Sequence, residues 1–170
     1  FVWSLAAIGG FLGLFAGLLS AIPFSLIALG FWNAQDYFEP AGKTLRERYG
    51  EWALVTGASA GIGAEFARAL AAEGLSVVLT ARREERLRDL AAELEDKFAV
   101  STRTIALDLA AAEGPTRLLA AVDDLEIGIL VANAGVGYAG RVDKQEPARL
   151  EQLLALNCRA PMLLVNRLTP

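Results

Sequence analysis

Histidine is absent from the 170 residues, cysteine occurs once, and the single methionine is not the first residue. Without histidine, neither a Ser-His-Asp nor a Cys-His arrangement can be assembled, and most zinc sites lose a ligand. Cys158 has no partner for an internal disulfide. Set between Asn157 and Arg159 in a helical run, it reads as a packing residue. Charge is missing from residues 1–35, and a basic surplus is missing altogether. Lys and Arg number 16 against 20 Asp and Glu, for a net charge of −4, which argues against nucleic acid as a partner. Because the sequence does not begin with Met, further residues are expected before Phe1.

The residues present divide in two. Residues 1–32, "FVWSLAAIGGFLGLFAGLLSAIPFSLIALGFW", hold no charge, and about 20 apolar residues suffice to span a bilayer as a helix. The reading is a membrane anchor over 1–34, as one helix kinked at Pro23 or as a hairpin, followed by a juxtamembrane linker over 35–50. A secretory signal is the rival, but its apolar region is shorter and no convincing cleavage site precedes the charged part. Gly9, Gly13 and Gly17, with Ala21 next, line one helix face with small side chains. Such a face suits helix packing, hence a homo-oligomer, although glycine is common in membrane helices generally. Trp32, Tyr37 and Phe38 fit an interfacial belt in contact with membrane lipid. Lys43, Arg46 and Arg48 favour a cytoplasmic location for the domain from residue 51 onward.

Residues 51–170 alternate between strand and helix patterns. "WALVT" (52–56), "SVVLTA" (76–81), "TRTIALDL" (102–109) and "IGILVAN" (127–133) read as strands. Ile62, Phe66 and Leu70 share one face of the helix after "WALVT", and Gly74 is placed to stop it. Leu87, Leu90, Ala91, Leu94 and Phe98 form the stripe of a second helix. "AAEGPTRLLAAV" is a third helix, and "EPARLEQLLALNCRAPMLLVNRL" a fourth that carries one proline. This spacing predicts βαβ units and a parallel sheet, that is, an α/β fold of doubly wound, Rossmann-like type with about four strands.

Within it, "TGASAGIG" (56–63) turns a strand sharply into a helix. Unpaired N–H groups and the helix dipole converge there, and Gly57, Gly61 and Gly63 remove Cβ atoms that would keep a pyrophosphate away. The spacing is neither G-x-G-x-x-G nor a Walker loop. The second strand ends in "TARRE". An acid at that end would grip the 2′-hydroxyl of NAD, but Ala81 offers none, while Arg82 and Arg83 can meet a 2′-phosphate. NADP(H) is therefore expected ahead of NAD(H).

"TGASAGIG" after a strand, "LDL" ending the third and "NAG" ending the fourth together resemble the short-chain dehydrogenase/reductases. The resemblance covers residues 51–170. "RYGEWALVTGASAGIG" and "DLEIGILVANAGVGY" look similar to the membrane-anchored branch of very-long-chain 3-oxoacyl-CoA reductases and the hydroxysteroid 17-beta dehydrogenase type 12 group. The resemblance implies a cofactor cradle of Gly57, Ser59, Gly61, Ile62 and Gly63, with Arg82 on the adenosine phosphate. Asp108 and Leu109 would bracket the adenine. Asn133, Ala134 and Gly135 would hold the fourth strand and the nicotinamide ribose. Asn157 matches the catalytic asparagine of the family's Asn-Ser-Tyr-Lys tetrad. It implies the sheet order 3-2-1-4, with "GILVA" an open edge where a fifth strand would lie.

Asn157 also has a physical reading. Pro161 lacks the N–H that would bond to the carbonyl of residue 157, so the helix is expected to bend there and leave a carbonyl able to hold a water. Asn157 falls on the face of Leu150, Leu153 and Leu154. The pattern then breaks. The family's Tyr is followed four residues later by Lys, whereas Tyr37, Tyr49 and Tyr138 are followed by Ala41, Ala53 and Val142. The chain is thus expected to be a fragment, inactive alone, of an enzyme that reduces a small lipid-like ketone, 3-oxoacyl or steroid-like. An NADP(H) sensor without turnover, or a membrane-anchored interaction protein, are the rivals.

Overall fold

The structure, a computed structural model, describes residues 43–168. The expected anchor, its Gly9, Gly13 and Gly17 face, and the belt of Trp32, Tyr37 and Phe38 lie outside the described residues. Among the described residues no helix is long and apolar enough to cross a membrane.

The chain enters through a short helix, α1 (Leu45–Tyr49), started by a capping box. The Thr44 hydroxyl accepts from the Glu47 N–H, and the Glu47 carboxylate accepts from the Thr44 N–H. Next come β1 (Trp52–Thr56), α2 (Gly61–Ala72), β2 (Ser76–Ala81), α3 (Glu84–Phe98), β3 (Thr102–Ala106), α4 (Gly114–Ala121) and β4 (Ile127–Val131). After a long loop come α5 (Pro147–Leu154), a π-helical turn (Ala155–Arg159) and α6 (Ala160–Leu168). All pairings are parallel, in the order β3-β2-β1-β4. Among the described residues β4 is an edge strand, as expected. Its amino end is bulged beside Trp52. There the Tyr49 carbonyl presses on Gly128, so closely that a Cβ at Gly128 would stand 1.4 Å from that oxygen.

Period-two alternation sorts the strands' side chains between two apolar layers. Ala53, Val55, Val77 and Leu79 face α2 and α3, where Ala67, Leu70, Leu87 and Leu94 meet them. Leu54 and Val78 face the other way, onto Leu118, Ala160 and Leu164 of α4 and α6. Helices on both faces of a parallel sheet make the doubly wound α/β arrangement.

The stripe read for α3 holds: Leu87, Leu90, Ala91 and Leu94 are buried, and Phe98 packs against them half-covered. The face read for α2 does not. Leu70 is buried, but Ile62 and Phe66 are 70% and 47% exposed. The helix instead buries Gly63, Ala64, Ala67 and Ala71 with Leu70. Small side chains let its axis lie close to the sheet, and the larger apolar residues are turned aside. Gly74, with φ +80°, stops α2 as anticipated. Its N–H reaches Ala71 O and that of Leu75 reaches Leu70 O, a Schellman motif.

Two strands and one helix are shorter than read. β3 stops at Ala106 and β4 at Val131, while α4 begins only at Gly114. Asp108, Leu109 and Asn133 therefore sit on the turns just past the strands. Where a bend was expected at Asn157, the chain forms a π turn, in which the Ala160 N–H reaches back five residues to Ala155 O. Cys158 on this turn is exposed, so the packing role read for it is wrong. The face shared with Asn157 is not a buried one either. Leu154 is 60% exposed and Leu150 and Leu153 are half-buried.

Candidate functional site

The carboxyl ends of the four strands converge on one cavity of about 360 Å³. It lies where β1 has β2 on one side and β4 on the other, the crevice at which open α/β sheets take ligands. Gly57, Ser59, Ala60 and Ile62 line it from the β1–α2 turn, and Ala81, Arg82 and Arg83 from the end of β2. Leu107, Asp108 and Leu109 line it after β3. Asn133, Ala134, Gly135 and Val136 do so after β4, with Leu156 of the π turn. Of the residues singled out in the sequence, the cavity gathers Gly57, Ser59, Ile62, Arg82, Asp108, Leu109, Asn133, Ala134 and Gly135. Gly61, Gly63 and Asn157 stand beside it and are not part of its wall.

The three glycines of the turn have different reasons to be glycine. Gly61 (φ +59°) is the one with open space where a Cβ would stand. A Cβ on Gly63 would come within 2.5 Å of both Asn133 Nδ2 and Gly57 O, and one on Gly57 within 2.8 Å of Asn133 Nδ2. Two of the three bare backbones thus make room for the end of β4, while a Cβ at Gly61 would face open space. The reading in which all three cleared the way for a pyrophosphate did not include this packing at Gly57 and Gly63.

Asn133 is the keystone of that contact. Its Nδ2 donates to Thr56 O at 3.1 Å and Gly57 O at 3.4 Å. Thr56, at 2% exposure, completes the joint. Its hydroxyl donates to Val131 O at 3.3 Å and accepts from Ala134 N–H at 3.0 Å. Thr56 was not picked out from the sequence as a site residue, although it opens the "TGASAGIG" stretch. Its role is a contact across 78 residues that no local pattern displays.

The cavity suits an anionic ligand at one end. Ala60, the N-cap of α2, brings no side-chain acceptor to the first-turn N–H groups, which leaves them for a bound anion. Arg83 crosses to the same turn, its Nη2 donating to Ser59 Oγ at 2.9 Å and its Nε at 3.3 Å. Arg82 is exposed at the cavity. Asp108 is occupied locally, accepting from the Ala110 N–H at 2.9 Å. These features fit a phosphorylated dinucleotide: an open place at Gly61, unclaimed N–H groups and two guanidinium groups. Among the described residues no group of acidic, Cys or His side chains could hold a metal.

The far wall is fastened to the helix that carries Asn157. Asn157 Oδ1 accepts from Val136 N–H at 2.9 Å, and its Nδ2 donates to Val136 O at 2.8 Å. Tyr138 Oη donates to Gln152 Oε1 at 2.6 Å, and Gln145 Nε2 donates to Ala139 O at 2.8 Å. Behind the cavity, Arg68 of α2 grips Glu93 of α3 at 2.7 Å, and that hydrogen bond holds Glu93 below the usual carboxylate range. A hydrogen bond from Arg103 likewise holds Asp124 low.

The family model described as short chain dehydrogenase matches residues 51–170. A very-long-chain 3-oxoacyl-CoA reductase of Phaeosphaeria nodorum is 39% identical over 127 residues, covering 71% of this chain and 37% of that protein. The human protein of the same name is 45% identical over 89 residues, covering 52% of this chain and 28% of that one. Among solved structures, a short-chain dehydrogenase from Sphingobium yanoikuyae in complex with NADPH superposes with a TM-score of 0.68 at 36% identity. That match covers 71% of this chain and 47% of the other. The chain thus spans well under half the length of the curated relatives named here.

Proposed function

The chain belongs to the short-chain dehydrogenase family, and from that premise we propose that it carries the dinucleotide half of an NADP(H)-dependent oxidoreductase acting on a lipid-like ketone. The observation that carries the reading is the pairing of Arg82 and Arg83 with the Ser59–Ala60 turn around one cavity, on a strand that ends in Ala81 rather than an acid. NAD(H) is the poorer fit, because two cations favour a 2′-phosphate and no carboxylate awaits a 2′-hydroxyl.

When bound, the cofactor supplies a hydride. The chain's own part is to bind and orient. Arg82 and Arg83 offset the charge of the adenosine phosphate, and Gly57, Ser59, Gly61, Ile62 and Gly63 form and support the turn at the diphosphate. Asp108 and Leu109 flank the adenine, while Asn133, Ala134 and Gly135 shape the ribose end. Asn157 stands for the tetrad asparagine. No Tyr in the chain has Lys four residues on, so proton donation is assigned to a longer parent.

The lipid-like substrate, 3-oxoacyl or steroid-like, rests on the named relatives and on the uncharged segment 1–32. A membrane anchor over 1–34, the linker 35–50 and a cytoplasmic domain from 51 belong to the same reading, with membrane lipid and a homo-oligomer through Gly9, Gly13 and Gly17 as partners. A second reading is a sensor that binds NADP(H) without turnover.

Titration with NADPH and NADH, followed by cofactor fluorescence, tests the main reading. NADPH should bind, with NADH roughly tenfold weaker or worse, and no ketone should be reduced by this chain. Binding of neither would show that the cavity is no dinucleotide site. Turnover by the chain alone would overturn the assignment of the proton donor to a longer parent. A longer parent carrying Tyr-x-x-x-Lys that binds NADPH but reduces no ketone would favour the sensor.

A further inference from the structure

We propose that Arg159 is a positioning residue for the adenine end of the cavity, a role that rests on the dinucleotide reading above. Within the π turn Ala155–Arg159, two side chains leave in different directions. Asn157 reaches the loop after β4 at Val136. Arg159 reaches the turn after β3, where its Nη2 donates to Ala110 O at 2.9 Å and to Ala111 O at 2.8 Å. One helical turn thus fastens both walls, each with its own arm.

The turn that Arg159 holds is compact. Asp108 Oδ1 accepts from the Ala110 N–H at 2.9 Å, and Asp108 O accepts from the Ala111 N–H at 3.2 Å. A Cβ at Gly114 would come within 2.3 Å of Asp108 O, so the backbone closes tightly on itself. Its inner face presents Asp108 and Leu109 to the cavity, and Leu109 is anchored in the core at 5% exposure. Arg159 braces this turn through the carbonyls that follow.

Packing alone does not call for a guanidinium here. Arg159 is half-buried, with its Nε buried without a hydrogen-bond partner, and leaving a buried donor orphaned is costly. An apolar side chain of similar length would fill the space without that cost. The group gains the two carbonyls, and those carbonyls come directly after the residues that face the adenine. Cross-bracing at this point fixes the distance between the β3 turn and the π turn, and so the width of the adenine end.

The test uses the full chain in detergent, with R159Q and R159K. The probe is adenosine 2′,5′-bisphosphate, which occupies the adenine end alone, and the second readout is hydrogen exchange at the Val136 amide. R159Q is expected to weaken the bisphosphate about tenfold, the worth of a charge-assisted hydrogen bond, with Val136 protection unchanged. R159K keeps the charge and can still donate to a carbonyl, so it should fall within about threefold of the parent. A folded R159Q with unchanged bisphosphate affinity would overturn the proposal while leaving the dinucleotide reading intact. Weakened binding together with lost protection at Val136 would also overturn it, since a merely structural arginine loosens both walls. If R159Q does not fold, R159M, which keeps the side chain's length and drops both hydrogen bonds, decides. A loss at the adenine end with Val136 unmoved supports the role, and no loss, or loss at both walls, ends it. No binding of bisphosphate or NADPH by the parent chain would instead bring down the dinucleotide reading, and this role with it.

Discussion

Asn157 holds Val136 by both faces of one peptide position, accepting from its N–H at 2.9 Å and donating to its carbonyl at 2.8 Å. A side-chain amide here stands in for the backbone of a neighbouring strand. β4 has ended at Val131, yet five residues further on the chain is still tied as if in a ladder.

Replacing Asn157 with Ala should therefore release the loop and leave the sheet. The two lost hydrogen bonds are worth about 1 kcal/mol each, so the Val136 amide should exchange roughly tenfold faster or more. Bisphosphate affinity should stay within about twofold, because the adenine wall is held elsewhere. Unchanged exchange at Val136 would mean that the clamp contributes nothing in solution.

Gly63→Ala and Gly61→Ala should differ sharply. At Gly63 the new methyl would meet Asn133 Nδ2 and Gly57 O at 2.5 Å, inside a joint with no slack, at a cost of about 3 kcal/mol or more. At Gly61 space is open and only the positive φ of +59° resists, at about 1–2 kcal/mol. Urea midpoints measure both, and a larger loss at Gly61 would contradict the packing account.

Arg82→Asp should shift preference from NADP(H) towards NAD(H), since a carboxylate repels a 2′-phosphate and accepts a 2′-hydroxyl. Paired binding titrations of both cofactors give the ratio. A ratio unmoved by the substitution would leave Arg82 as a surface charge and pass the phosphate to Arg83, which must then let go of Ser59.

Acid should weaken the domain through two ion pairs. Glu93 and Asp124 are held below their ordinary values of 4.5 and 3.8 by hydrogen bonds from Arg68 and Arg103. A lowered native pKa means that the unfolded state binds protons more readily. The pairs' full contribution is therefore present above those ordinary values and is lost as pH falls through the lower native ones. With no histidine in the chain, the unfolding midpoint should be nearly flat from about pH 6 to 8. Both pairs are solvent-screened, so the acid effect is modest. Glu93→Gln should flatten part of the acid limb, and an identical limb would show that the α2–α3 pair contributes nothing.

The sheet was legible because buried parallel strands are short apolar runs between turn signals, and the chain alternates them cleanly with helices; the order of its strands came from the resemblance to the short-chain dehydrogenase/reductases. β1 and β2 fall on "WALVT" and "SVVLTA". The misreadings arose for reasons of distance. Large apolar residues at helical spacing suggested that Ile62 and Phe66 face the sheet, but how close a helix lies is decided by its smallest residues, here Ala64, Ala67 and Ala71. The need for glycine at 57 and 63 comes from Asn133, far along the chain. The grip of Arg159 on Ala110 and Ala111 spans nearly 50 residues and leaves no local signature. The positions named for the cavity wall came together because each comes after a strand end, and a parallel sheet brings all such ends to one side.

The crossing of Tyr49 over Gly128 has a mechanical consequence. The polypeptide enters at the amino ends of β1 and β4, while the cavity opens at their carboxyl ends, a strand of five residues away, or about 17 Å. Tension applied at Lys43 would pass through α1 into the base of the sheet. It would load the β1–β4 ladder along its length, in shear, where many bonds share the strain at once. The mouth of the cavity lies at the opposite end of the strands from that point of entry, so a pull on the leading segment is applied a strand's length away from the ligand's place.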